Sequence, residues 1–223
     1  MKSLRTLLLI LAVLSASASA ATISPNLPDP VRFGAVMELG DVAQVRAWLD
    51  AGLDPNFVAD RIGTGLMIAA WTGNIPLMEL LVERGADIHR TNTFGETALL
   101  HAAWRGQAEA VKWLLARGAK PNREGAEWSA LHYAAFAGHG EATQLLLERG
   151  ADINARSPNG STPLMMAIHE GHEEMAGYLI KRGADRKVRN ERGDTALDWA
   201  VKYDRTAIAR LIGSADELAA AAA

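Results

Sequence analysis

A Gly-Ala-Asp type tripeptide returns at Gly52, Gly85, Gly118, Gly150 and Gly183, at spacings of 33, 33, 32 and 33 residues. A fixed period of this length restricts the chain to an array of like units. A unit of ~33 residues cannot bury its own apolar face and must stack on copies of itself. Two further signals keep the same phase. About twelve residues after most of these glycines stand Thr64-Gly65-Leu66-Met67, Thr97-Ala98-Leu99-Leu100, Ser129-Ala130-Leu131-His132, Thr162-Pro163-Leu164-Met165 and Thr195-Ala196-Leu197-Asp198. Behind them come Ala69-Ala70, Ala102-Ala103 and Ala134-Ala135, and then Gly73, Gly106, Gly138 and Gly171.

Elementary chemistry turns each unit into two helices and a turn. Thr or Ser accepts a backbone N–H at the start of the first helix, and Pro163 suits the first helical position, where its missing donor is no loss. The Ala-Ala pair permits close approach of neighbouring units, and the following glycine stops the helix. A second helix then runs through Leu80-Leu81, Trp113-Leu114-Leu115, Leu145-Leu146-Leu147 and Tyr178-Leu179-Ile180. Polar stretches such as Arg156-Ser157-Pro158-Asn159-Gly160 have turn composition and predict short hairpin-like fingers between units.

These linked signals resemble the ankyrin-repeat family, whose unit of ~33 residues bears a Thr-Pro-Leu-His-x-Ala signature. The resemblance spans residues 30–213 and implies an all-α solenoid of about six units. Its divisions are an N-terminal cap over 30–58, repeats over 59–91, 92–124, 125–156 and 157–189, and a C-terminal cap over 190–213. At ~10 Å between packed helices the array is about 60 Å long. Both ends depart from the pattern: Val31 to Leu53 lacks the Thr signature, and Asp204 stands where the helix-stopping glycine belongs. The finger between Gly118 and Ser129 is one residue short and has Glu127 in place of the glycine found at Gly95, Gly160 and Gly193.

Outside the array, Lys2 and Arg5 precede an apolar run from Leu7 to Leu14, followed by Ala18-Ser19-Ala20. This is the pattern of a cleavable signal peptide over residues 1–20, then a linker over 21–29 and an Ala-rich tail over 214–223. The apolar run spans only ~12 Å as a helix, against the ~30 Å of a bilayer core, so it does not read as an anchor. The expected address is the bacterial periplasm or the exterior, with no membrane span after cleavage. Removing Lys2 and Arg5 takes the formal net charge from −3 to −5, which disfavours nucleic acid as a partner. There is no cysteine, so stability rests on packing rather than disulfides.

The resemblance implies a non-catalytic binding module without a cofactor, whose contacts lie in the fingers and at the two residues before the helix-ending glycine. Here those pairs are Trp71-Thr72, Trp104-Arg105, Phe136-Ala137, His169-Glu170 and Lys202-Tyr203. Trp71, Trp104 and Phe136 occupy equivalent places in three successive repeats and predict an apolar stripe on the concave side. At ~150–250 Å² per ring they offer ~450–750 Å², as large as the largest apolar patch of an ordinary monomer. Arg105, His169 and Glu170 would rim the stripe, and Trp128 in the short finger would extend it. The partner expected is a protein that the sequence does not name. The resemblance points to envelope proteins and enzymes, peroxide-defence enzymes among them.

A different reading takes His169, Glu170 and His172 as the ligands of a metal-dependent hydrolase. The cluster is similar to a His-Glu-x-x-His zinc motif, but its spacing is one residue short and Gly171 interrupts the helix that would present both histidines. His132, His139 and His172 also fall where the family signature itself has histidine. His89, in a finger, and His101, on an inner helix, have no evident partner in the sequence. Arg84, Arg117, Arg149 and Arg182 recur near the ends of the second helices, where positive charge complements the helix dipole.

Overall fold

The computed structural model describes residues 26–59 and 62–214. Among these residues twelve α-helices pair into six units. They are α1 (Pro30–Leu39) with α2 (Val42–Asp50), α3 (Gly65–Thr72) with α4 (Ile75–Glu83), and α5 (Ala98–Trp104) with α6 (Ala108–Ala116). The series continues with α7 (Ala130–Phe136) and α8 (Gly140–Glu148), α9 (Pro163–Glu170) and α10 (Glu173–Lys181), and α11 (Ala196–Lys202) and α12 (Thr206–Ile212). The expected signal peptide at 1–20 lies outside the described residues, as do 21–25 of the linker and 215–223 of the tail.

The first helices pack in sequence, α1 on α3, α3 on α5, α5 on α7, α7 on α9 and α9 on α11, so the molecule is an all-α solenoid. Helices of seven to ten residues are too short to persist alone in water, and stacking is what holds them. The alanine pairs are fully buried at this helix–helix seam, as are Leu77, Leu114, Leu146 and Leu179 from the second helices. Two apolar clusters, one reaching from Phe33 to Ala151 and one from Ala135 to Ile212, meet at α7 and share Leu147.

Local chemistry starts each first helix. Thr64, Thr97, Ser129, Thr162 and Thr195 accept the N–H three residues on, from Met67, Leu100, His132, Met165 and Asp198, each cap being worth ~1 kcal/mol. In the N-terminal unit, which lacks the Thr signature, Asp29 does the same for Arg32 at 2.8 Å. Gly65 stands where Pro163 stands in a later unit because Phe33 of α1 packs against it. A Cβ there would lie 2.8 Å from Phe33 Cζ.

Where the other units have a glycine to end the first helix, Asp204 adopts φ 54°, a left-handed conformation that costs a side chain free energy. Among the described residues no strand forms, only an isolated antiparallel bridge between Val58 and Thr64. The finger tips at Gly95, Gly160 and Gly193 are closed by a main-chain bond, in which the N–H of Asn92, Ser157 and Asn190 donates to the carbonyl of Glu96, Ser161 and Asp194, and the N–H of the latter residue returns to the side-chain oxygen of the former. The short finger lacks that main-chain bond. Its positive φ falls on Gly125, at 76°, and Arg123 braces it by donating to the Trp128 carbonyl at 3.4 Å.

Candidate functional site

Trp71 lies in the last turn of α3, Trp104 ends α5 and Phe136 ends α7, and all three are half-buried. Trp71 and Trp104 meet edge to face with centroids 5.3 Å apart, as equivalent positions in adjacent repeats should. The ring contact that continues from Trp104 is with Tyr133, at 5.0 Å. Phe136 instead stacks on His169 at 6.4 Å. The single stripe expected from Trp71, Trp104 and Phe136 is therefore corrected to two clusters. Residues three apart on a helix share a face, so Tyr133 competes with Phe136 for the same neighbour.

The first cluster continues from Tyr133 to Trp128 of the short finger, at 6.2 Å, and Trp128 packs on the His132 ring at 5.5 Å. The second joins His169 to Tyr203 at 4.6 Å and to Trp199 at 5.8 Å. Beside it lies a groove of about 410 Å³ lined by Trp128, Met166, His169, Asn190, Trp199 and Tyr203, together with side chains of both charges. Arg105 is exposed, and its guanidinium lies over the Trp71 ring, 4.9 Å from the centroid. Glu170 meets its neighbour His169, Oε1 to Nδ1, at 2.5 Å.

The backbone beneath the rings is fastened by the next unit. Gln107 Nε2 donates to the Trp71 carbonyl at 3.2 Å, His139 Nε2 to that of Trp104 at 3.0 Å and His172 Nε2 to that of Phe136 at 3.0 Å. Arg205 serves the His169 carbonyl in the same way at 2.8 Å. Carbonyls in the last turn of a helix have no partner within it, and these side chains supply one. A polar residue immediately after the helix-ending position is the signal for this clasp.

Two histidines are buried. His132 receives the Ser129 N–H at Nδ1, 3.1 Å away, and its Nε2 lies 3.0 Å from the Ser161 carbonyl, so the proton sits on Nε2. Burial pushes its pKa down to about 4, against the opposing pull of the Ser161 and Ala155 carbonyls and Asp152. His101 lies edge-on to Trp71 at 5.9 Å, and neither of its nitrogens is hydrogen-bonded. Burial lowers its pKa too, outweighing Glu96, whose Oε2 is 3.5 Å from Nε2.

Family comparison agrees with this architecture. A model of ankyrin repeats matches the chain in three copies, over residues 34–125, 66–157 and 131–219. The chain belongs to the ankyrin-repeat family. An ankyrin array is a protein–protein interaction module, and this one presents its rings on the first helices of the repeats. No helix among the described residues is long and apolar enough to cross a membrane.

The hydrolase reading loses its ligand set within this ankyrin frame. His172 reaches back to Phe136 across the repeat boundary, while His169 faces Glu170 and Tyr203 on the ring-bearing side. Gly171, at φ 79°, turns the chain between them. Among the described residues no three His, Cys, Asp or Glu side chains are grouped to hold a metal ion. The recurrent arginines end the second helices as expected, and Arg84 also pairs with Asp50 at 2.6 Å while Arg117 covers Trp113 at 3.8 Å. Sequence reasoning missed Tyr133 and Trp199, which lie three residues before the positions it singled out, and Glu96, which immediately precedes the capping Thr97.

Proposed function

We propose that this ankyrin protein binds another protein, without catalysis, through the ring-bearing face of its first helices. In ankyrin arrays this is the concave face. The observation behind the reading is the two clusters of half-buried rings, one through Trp71, Trp104 and Tyr133 and one through Phe136, His169 and Tyr203, each of which crosses repeat boundaries and extends beyond what a core of leucine and alanine requires. Aromatic side chains of this kind, framed by charge, are the usual anchors of protein interfaces. Because the rings are half-buried and brace one another, their contact area is smaller than that of fully exposed rings, and truncating them costs stability as well as binding.

The proposed setting is the periplasm or the exterior, and the proposed partner an envelope protein or enzyme. Terminal sequencing of protein from its native host should give Ala21 as the first residue, and a retained Met1 would remove the export part of the reading. Binding is tested by placing a photoreactive phenylalanine analogue at position 71 or, as a control, at position 113 on α6. Irradiation in the native host should give one discrete adduct from position 71 and none from position 113. Adducts from 113 alone, or from neither, would refute the face assignment.

A further inference from the structure

Glu96 sits immediately before α5, in the finger that faces the first aromatic cluster. Its side chain is 15% exposed and so largely withdrawn from water. Its partners are neutral groups: the Asn92 amide donates to Oε2 at 2.8 Å and the Tyr133 hydroxyl to Oε1 at 3.4 Å. His101, at 3.5 Å, is held neutral at physiological pH by its burial. Among the described residues no lysine or arginine forms an ion pair with Glu96. Arg123 lies against Gly95 but is directed to the Trp128 carbonyl and to Glu127, at 3.8 Å, and Arg105 is stacked on Trp71.

A carboxylate so far withdrawn from water attracts a cation more strongly than one in open solvent. Tyr133, whose hydroxyl reaches Oε1, is in ring contact with both Trp104 and Trp128, and aromatic π faces attract the same kind of ligand. The Arg105 guanidinium over Trp71 shows a cation stacking on this ribbon of rings within the chain itself. We propose that Glu96, with Trp104, Tyr133 and Trp128, receives a cationic side chain, arginine or lysine, from the protein partner. The proposal rests on the binding face described above and adds the chemistry of what that face selects.

The test uses the full chain, isotopically labelled, and two synthetic peptides, acetyl-Gly-Arg-Gly-Arg-Gly-amide and the same peptide with citrulline, a neutral isostere, replacing arginine. Nuclear magnetic resonance titration should show saturating shifts at the Trp104 and Trp128 indole N–H with the arginine peptide and none with citrulline. Glu96→Gln, which keeps an oxygen for Asn92, should weaken the arginine peptide about tenfold or more. Tyr133→Phe, which keeps the ring, should weaken it less. Equal shifts from both peptides, undiminished binding by Glu96→Gln, or shifts centred elsewhere would each overturn the proposal. If position 71 still gives its adduct in that case, the binding face stands and only its preference for a cation is lost.

Discussion

Acidification offers a direct test of how His132 is built into the stack. The ring is wholly buried, and its pKa of about 4 lies below the ordinary 6.5 of histidine. Above pH ~6.5 the ring is neutral in both folded and unfolded chains, and no stability depends on it. Between about 6.5 and 4 the unfolded chain takes up the proton and the folded chain does not, so unfolding is favoured as pH falls. Below 4 both are protonated and the loss levels off. A difference of roughly 2.5 units at 1.36 kcal/mol each gives about 3 kcal/mol lost across the window.

His101, whose pKa burial also lowers, contributes a slope of its own, so the comparison is with His132→Gln, which cannot titrate there. Gln loses the bridge from Ser129 to Ser161 and should be less stable at neutral pH. Its stability should nevertheless fall less steeply on acidification, by up to one proton's worth of slope. Urea unfolding followed by tryptophan fluorescence, at steps from about pH 7 to about pH 4.5, measures both profiles. Parallel profiles would mean that His132 protonates as freely in the folded chain as in the unfolded one, and the buried neutral bridge would be wrong.

Leu146→Ala should cost ~2–5 kcal/mol, because a wholly buried leucine of α8 leaves lost transfer energy and a cavity between repeats. An unshifted urea midpoint would contradict the packing register. Asp204→Gly should stabilise the C-terminal unit by up to about 1 kcal/mol, since φ 54° is strained for any residue with a Cβ. A lower melting temperature in that variant would show that the Asp204 side chain contributes more than its backbone strain costs.

The local half of this architecture was legible in the residues because its determinants act over three or four positions. Thr162 caps α9 through the N–H of Met165, three residues on, and the break at Gly171 separates His169 from His172, so the weakness of the metal motif was visible as well. The 33-residue period then requires that such units stack, whatever their surface residues. Which rings touch was decided only by tertiary structure. Trp104 pairs with Tyr133 rather than Phe136 because of how α7 is turned against α5, and both choices satisfy the same helical periodicity. Gln107, His139, His172 and Arg205 perform one task with three kinds of side chain, so residue type alone did not mark it. Glu96 meets Tyr133 from 37 residues away, a contact that exists only because stacking lays one finger beside the next repeat's first helix.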